Sequence, residues 1–142
     1  MIYAIRAGDC GPVKFGVARD PRSRLSTLQT GSPVELKLLA SAPVHESNEK
    51  LIHRYLRGQR ERGEWFRPDE KTLEVVDVLK RQAESDEHVL MEHIWQRDLR
   101  AVIWFRRHIG ADFDVFESEV ERALAEGIEN CSIAPNPPEV TG

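Results

Sequence analysis

Apolar and polar positions alternate in two short stretches at the start of the chain and then change period. Residues 1–7 and 12–18 read as strands, joined by the turn formers Gly8-Asp9-Cys10-Gly11-Pro12. Strand parity puts Tyr3 and Ile5 on one face, with Lys14 and Gly16 on the matching face of the second strand. A hairpin centred on Asp9-Cys10 sets Tyr3 opposite Gly16 and Ile5 opposite Lys14, while Phe15 and Val17 turn toward the core. Asp20 is suited to cap a helix that opens on Pro21 and carries Leu25 and Leu28, and Thr30-Gly31-Ser32-Pro33 ends it. A third strand is expected over about 35–42. A second helix runs from about Glu46 to Arg57, with Leu51, Ile52, Tyr55 and Leu56 as its apolar side. Gly63-Glu64-Trp65-Phe66-Arg67-Pro68 reads as a short extended piece stopped by proline.

After Pro68 the pattern is helical. Asp69 to Ala83 carries Leu73, Val76, Leu79 and Ala83 on one side. A single longer helix is expected from Asp86 to Gly110 through Leu90, Ile94, Leu99, Val102 and Ile103, and another from Asp114 to Gly127 through Phe116, Val120 and Leu124. The last stretch, with three prolines, reads as disordered. The expected organisation is therefore a domain over 1–68, a helical extension over 69–129 and a tail over 130–142. The fold class is α+β: a small three-stranded antiparallel sheet flanked by helices, followed by an acidic helical extension.

Charge sharpens this division. Residues 1–68 hold 12 Lys and Arg against 7 Asp and Glu, a balance of +5; residues 69–142 hold 8 against 17, a balance of -9. A basic half followed by an acidic half suggests that the first meets a polyanion, although such a balance also occurs in proteins that never touch nucleic acid. No apolar run approaches the ~18 residues of a membrane span. Cys10 and Cys131 stand too far apart in the sequence to suggest a zinc site or a disulfide framework, and a reduced, cytoplasmic setting is the expectation.

The candidate chemistry lies in the basic half. Tyr3 opposite Gly16 borders a residue without a side chain, which would leave space for a phosphate, and Lys14 supplies an ammonium nearby. Arg24, one turn into the first helix, can reach back over the same face. Glu49 and His53 stand four apart on one helical face. A carboxylate suits Mg²⁺ or Mn²⁺, which prefer oxygen and keep several waters. His53 fits a ligand role or, more simply, a half-buried histidine held by a hydrogen bond. Arg54, Arg57, Arg60 and Arg62 extend the basic surface toward Glu64, to meet phosphates or merely water.

Residues 2–66 resemble the GIY-YIG nuclease domains, and within them the compact phage-type branch, shared with a fungal meiotically up-regulated gene product, that ends in Gly-Glu-Trp-Phe. The resemblance rests on Ile2-Tyr3-Ala4-Ile5, Val13-Lys14-Phe15-Gly16-Val17, the arginine helix through Arg24-Leu25, Leu28-Gln29-Thr30-Gly31, Glu49-Lys50-Leu51-Ile52-His53 and Gly63-Glu64-Trp65-Phe66. It implies a metal-dependent endonuclease that hydrolyses nucleic-acid phosphodiesters, DNA in preference to RNA, with one Mg²⁺ or Mn²⁺ ion. Tyr3 matches the tyrosine that helps activate the attacking water, Arg24 the arginine that steadies the phosphate's charge, and Glu49 the metal-holding glutamate. Gly16, His53 and Glu64 are candidates for supporting or substrate contacts. The chain departs from the pattern at Met1, which replaces the first glycine, and at Lys14, which replaces the second tyrosine. Lys14 could still hold a phosphate as a point charge. Glu64 occupies the region where many relatives carry an asparagine. The alternative is a non-catalytic scaffold of the same fold that binds nucleic acid or a protein. For the extension, packing on the first domain or on a second copy is expected through Leu90, Ile94, Trp95, Leu99 and Val102, with residues 86–109 also open to a protein partner.

Overall fold

The computed structural model describes residues 1–109; the helix expected from Asp114 to Gly127 and the proline-rich tail lie outside them. Strands β1 (Ile2–Ala7) and β2 (Val13–Val17) form the expected hairpin, and Tyr3 pairs with Gly16 and Ile5 with Lys14. Helix α1 (Pro21–Gln29) begins at Asp20, whose side chain accepts from the backbone N–H groups of Arg22 and Ser23. Strand β3 (Leu36–Ala42) pairs antiparallel with β1 on its other edge. Helix α2 (Asn48–Tyr55) runs into a short 3₁₀ turn at Arg57–Gln59.

The sheet does not stop at three strands. Arg60–Arg62 form β4 and Trp65–Phe66 form β5, a second hairpin turned by Gly63 at φ +55°, a left-handed conformation that glycine adopts without strain. The sheet has five antiparallel strands in the order β3-β1-β2-β5-β4. The sequence hid β4 because Arg60-Glu61-Arg62 is fully polar: as an exposed edge strand it has no apolar face to display.

Parity sorts side chains onto two faces. Tyr3, Ile5 and Leu36 form a small buried cluster with Leu25 and Leu28 of α1, and with Leu38 and Trp65. Ile2, Ala4, Val13, Phe15 and Phe66 face the other way, into the main core with Leu51, Ile52, Tyr55 and Leu56 of α2. Helix α3 (Glu70–Ala83), capped by Asp69, lays Val75, Val76, Val78 and Leu79 into that same core.

The long helix expected from Asp86 to Gly110 is two helices, α4 (Val89–Arg97) and α5 (Leu99–Ile109). The break falls at Asp98, which takes an extended conformation with φ -151°, and its carboxylate accepts from the Ala101 N–H. The apolar spacing runs on across the break and concealed it, but an aspartate three residues ahead of Ala101 is a helix-start signal. Leu90, Ile94 and Val102 are buried in the main core, Leu99 beside Ile103 and Trp95. The expected docking of these helices is thus met within the chain itself.

Candidate active site

Position 16 is tightly filled. A Cβ placed on Gly16 would lie 2.4 Å from Tyr3 Oη and 2.6 Å from its Cζ. The phenol, in a side chain only 1% exposed, occupies the space expected to receive a phosphate. Gly16 is a glycine because Tyr3 lies across it.

Lys14 and Glu64 are partners. Lys14 Nζ donates to Glu64 Oε1 at 2.6 Å, with the lysine side chain 12% exposed and the glutamate 44%. The Lys14 ammonium also stands 5.9 Å from the Trp65 ring centroid. Two of the three positions at which the sequence departs from the GIY-YIG pattern, Lys14 and Glu64, are thus in contact, 50 positions apart. Burial would raise the Glu64 pKa, but the hydrogen bond and charge of Lys14, helped by His53 and Arg24, bring it below the ordinary carboxylate value. Glu64 is held as an anion.

Helix α2 reaches this group from the other face, along the side of β2 turned toward β5. Phe15 directs both its N–H and its C=O to that side: the N–H donates to the Glu64 carbonyl at 3.3 Å, and the C=O accepts from His53 Nε2 at 2.9 Å. A carbonyl can only accept, so Nε2 carries a proton in this contact. The ring rests edge-on against Phe66. One turn earlier on α2 stands Glu49, half-buried. Burial raises its pKa, and nearby Glu64 adds to the rise; His53, Lys50 and Lys14 oppose it without cancelling it.

Glu49, His53 and Glu64 share an open cavity of about 430 Å³ with Lys50, Arg54, Arg57, Arg60 and Trp104. Lys14 joins it through Glu64. Arg24 is exposed on α1, near enough to lower the Glu64 pKa. Of the residues singled out in the sequence, then, Lys14, Arg24, Glu49, His53 and Glu64 fall into one electrostatic neighbourhood, while Tyr3 lies under Gly16 on the α1 side of the sheet. Trp104 was not foreseen as part of this wall, because it is 40 residues downstream of Glu64 with no local motif around it.

The donor set bears on a metal. Among the described residues no group of three or more His, Cys, Asp or Glu side chains could cage an ion. One half-buried carboxylate lining an open cavity fits a hard cation that keeps most of its waters. It does not fit zinc, which takes a nearly complete protein shell.

The model of the T5orf172 domain matches residues 1–83, more than half the chain, and the chain belongs to that family. The match ends with α3, so the sheet and the first three helices are the family's unit and α4 and α5 lie beyond it. The T5orf172 domain is associated with nuclease-like and DNA-binding functions. No curated protein and no solved structure matches the chain. Among the described residues no helix is long and apolar enough to cross a membrane.

Proposed function

We propose that this T5orf172 chain is a metal-dependent endonuclease of the GIY-YIG kind that hydrolyses nucleic-acid phosphodiesters, DNA in preference to RNA. The observation that carries the reading is the gathering of Glu49, His53, the Lys14–Glu64 pair and Arg24 in one electrostatic neighbourhood beside an open cavity. A half-buried carboxylate whose charge is incompletely balanced has little structural use and is well suited to a cation.

Each residue then has a task. Glu49 would hold Mg²⁺ or Mn²⁺ at its carboxylate, and the ion would supply Lewis-acid chemistry for phosphodiester hydrolysis. Arg24 is an exposed guanidinium placed to hold phosphate oxygens as their charge grows. The Tyr3 hydroxyl, fixed against Gly16, orients the attacking water by hydrogen bonding. His53 lines the cavity with its ring orientation set by the Phe15 carbonyl. Lys14, engaged by Glu64, contributes charge and position more than an open phosphate contact.

That engagement favours a second reading, a scaffold that binds nucleic acid without cutting. Supercoiled plasmid incubated with Mg²⁺, with Mn²⁺ and with chelator separates the two. Nicking that needs metal and falls by ~10²–10³ in Glu49→Gln and in Arg24→Ala supports the enzyme. Salt-sensitive binding with no cleavage under any metal supports the scaffold. Cleavage undiminished in Glu49→Gln would remove Glu49 from the site.

A further inference from the structure

Helix α5 lies beyond the family's matched residues, yet it reaches back to this cavity. Trp104 forms part of its wall, and the Arg54 guanidinium carbon stands 4.9 Å from the Trp104 ring centroid. Arg54 Nε is enclosed, with no hydrogen-bond partner among the described residues. The guanidinium is therefore held by an aromatic face and not by a carboxylate, which leaves its charge available. Arg57 follows, its Nη1 donating to the Arg54 carbonyl at 2.6 Å and lying 3.5 Å from Asp98 Oδ2 at the start of α5. Arg60 comes next, exposed, over the Phe66 ring at 5.7 Å.

The charges are uneven around the cavity. Lys50, Arg54, Arg57 and Arg60 face two acids, Glu49 and Glu64, and Glu64 is already paired with Lys14. Asp98 offsets part of Arg57, while Arg54 and Arg60 have no ion-pair partner among the described residues. Planar guanidinium groups match the paired oxygens of a phosphate, and successive ones along α2, its 3₁₀ turn and β4 suit a chain of phosphates more than a single anion.

We propose that α5 completes a strand-binding track: Trp104 fixes Arg54, and Arg54, Arg57 and Arg60 hold the DNA phosphates that flank the one at Glu49 and Arg24. The proposal rests on Glu49 marking the phosphodiester site. Trp104 is a positioning residue, the three arginines are the contacts, and Arg54 and Arg60, which have no ion-pair partner among the described residues, are the ones to test.

The test uses the full chain, a fluorescent DNA oligonucleotide and its RNA counterpart, with chelator present and salt varied. Arg54→Gln and Arg60→Gln should each weaken DNA binding about 3–10-fold and lower the slope of log affinity against log salt by about 1. Trp104→Leu should match Arg54→Gln, the double variant should lose no more than either, and Trp104→Phe should retain most of the affinity. Arg81→Gln, on the exposed side of α3, should bind as the parent does. Parent-like affinity and slope in both Arg54→Gln and Arg60→Gln overturn the track, as do losses no larger than that of Arg81→Gln. Additive loss in the double variant overturns the role of Trp104, and equal losses for RNA overturn the choice of DNA. Because the assay contains no metal, these outcomes stand apart from the nuclease reading. Binding losses in a chain that never nicks plasmid keep the track and reject the enzyme; normal nicking with unchanged binding does the reverse.

Discussion

Gly16→Ala tests the packing beneath the site, and its effect can be worked from geometry. The new methyl carbon would meet Tyr3 Cζ at 2.6 Å and Oη at 2.4 Å, so relief to an ordinary contact of about 3.5 Å moves the ring by roughly 1 Å. Tyr3 cannot simply swing clear, because it is 1% exposed and packed among Ile5, Leu36, Leu25, Leu28 and Trp65. Overfilling a site of this kind destabilises by about 1–3 kcal/mol. At about 4 °C per kcal/mol for a chain this size, the melting temperature should fall by roughly 4–12 °C. Urea denaturation of the alanine change in three backgrounds isolates the cause. In Tyr3→Phe the nearest atom is gone but Cζ remains, so most of the loss should persist. In Tyr3→Leu, which ends short of Cζ, the loss should nearly vanish, giving a coupling energy of at least about 1 kcal/mol. An equal loss in all three backgrounds would refute the steric account and point to the backbone of β2 instead.

Three further outcomes follow from particular contacts. His93 is buried with Nε2 unpartnered, and burial, with Arg97 and Arg81 adding to the effect, pushes its pKa down to about 4. The unfolded chain takes up this proton near the ordinary 6.5 while the folded chain resists it, so stability should fall as pH drops from 6.5 to 4 by at most about 3 kcal/mol. His93→Leu should flatten that part of the denaturation profile, and a parent-minus-variant difference equal at pH 7 and pH 4 would contradict it. Glu49 has its pKa raised by burial, so its ionisation opposes folding as pH rises through that value. Without added metal Glu49→Gln should therefore be neutral or stabilising in thermal melts, while Mn²⁺ binding, followed by paramagnetic broadening around Glu49, should strengthen with pH over the same interval and be lost in the variant. Asp98→Ala removes both the cap of α5 and the partner of Arg57; the expected loss is about 1 kcal/mol in denaturant, and an unchanged midpoint would show that the cap is dispensable.

Legibility in the sequence followed the range of the interaction. The first hairpin and its register, the Asp20 cap and the apolar side of α2 were readable because alternation, helical spacing and capping act over a few residues. The β4–β5 hairpin escaped because an edge strand of Arg, Glu and Arg carries no such signal. Asp98 interrupts a stretch whose apolar spacing continues across it, so periodicity alone reads the two helices as one. Several residues singled out in the sequence lie near one another, but their arrangement was not legible. Strand parity placed Tyr3 beside Gly16 correctly; it could not tell that the phenol itself would fill the gap. Nor can local pattern bring Trp104 to the wall occupied by Arg54, since that contact depends on how α5 packs against α2.

The pairing of Lys14 with Glu64 changes how the departures from the GIY-YIG pattern should be weighed. Taken singly, a lysine in place of a tyrosine looks like the loss of a catalytic hydroxyl, and a glutamate in place of an asparagine looks like drift. In space they are a single feature. A lysine with a side chain only 12% exposed needs an anion, and Glu64 supplies it at 2.6 Å. The carboxylate in turn depends on Lys14, which does most to hold its pKa low against burial. Remove the ammonium and Glu64 becomes a partly buried acid facing Glu49, whose own pKa already rises under burial and that same neighbour. After burial and His53, the ion pair thus contributes to the field that Glu49 experiences. Lys14 can shape the chemistry of this site without touching a substrate, by keeping the two glutamates from competing for the same proton.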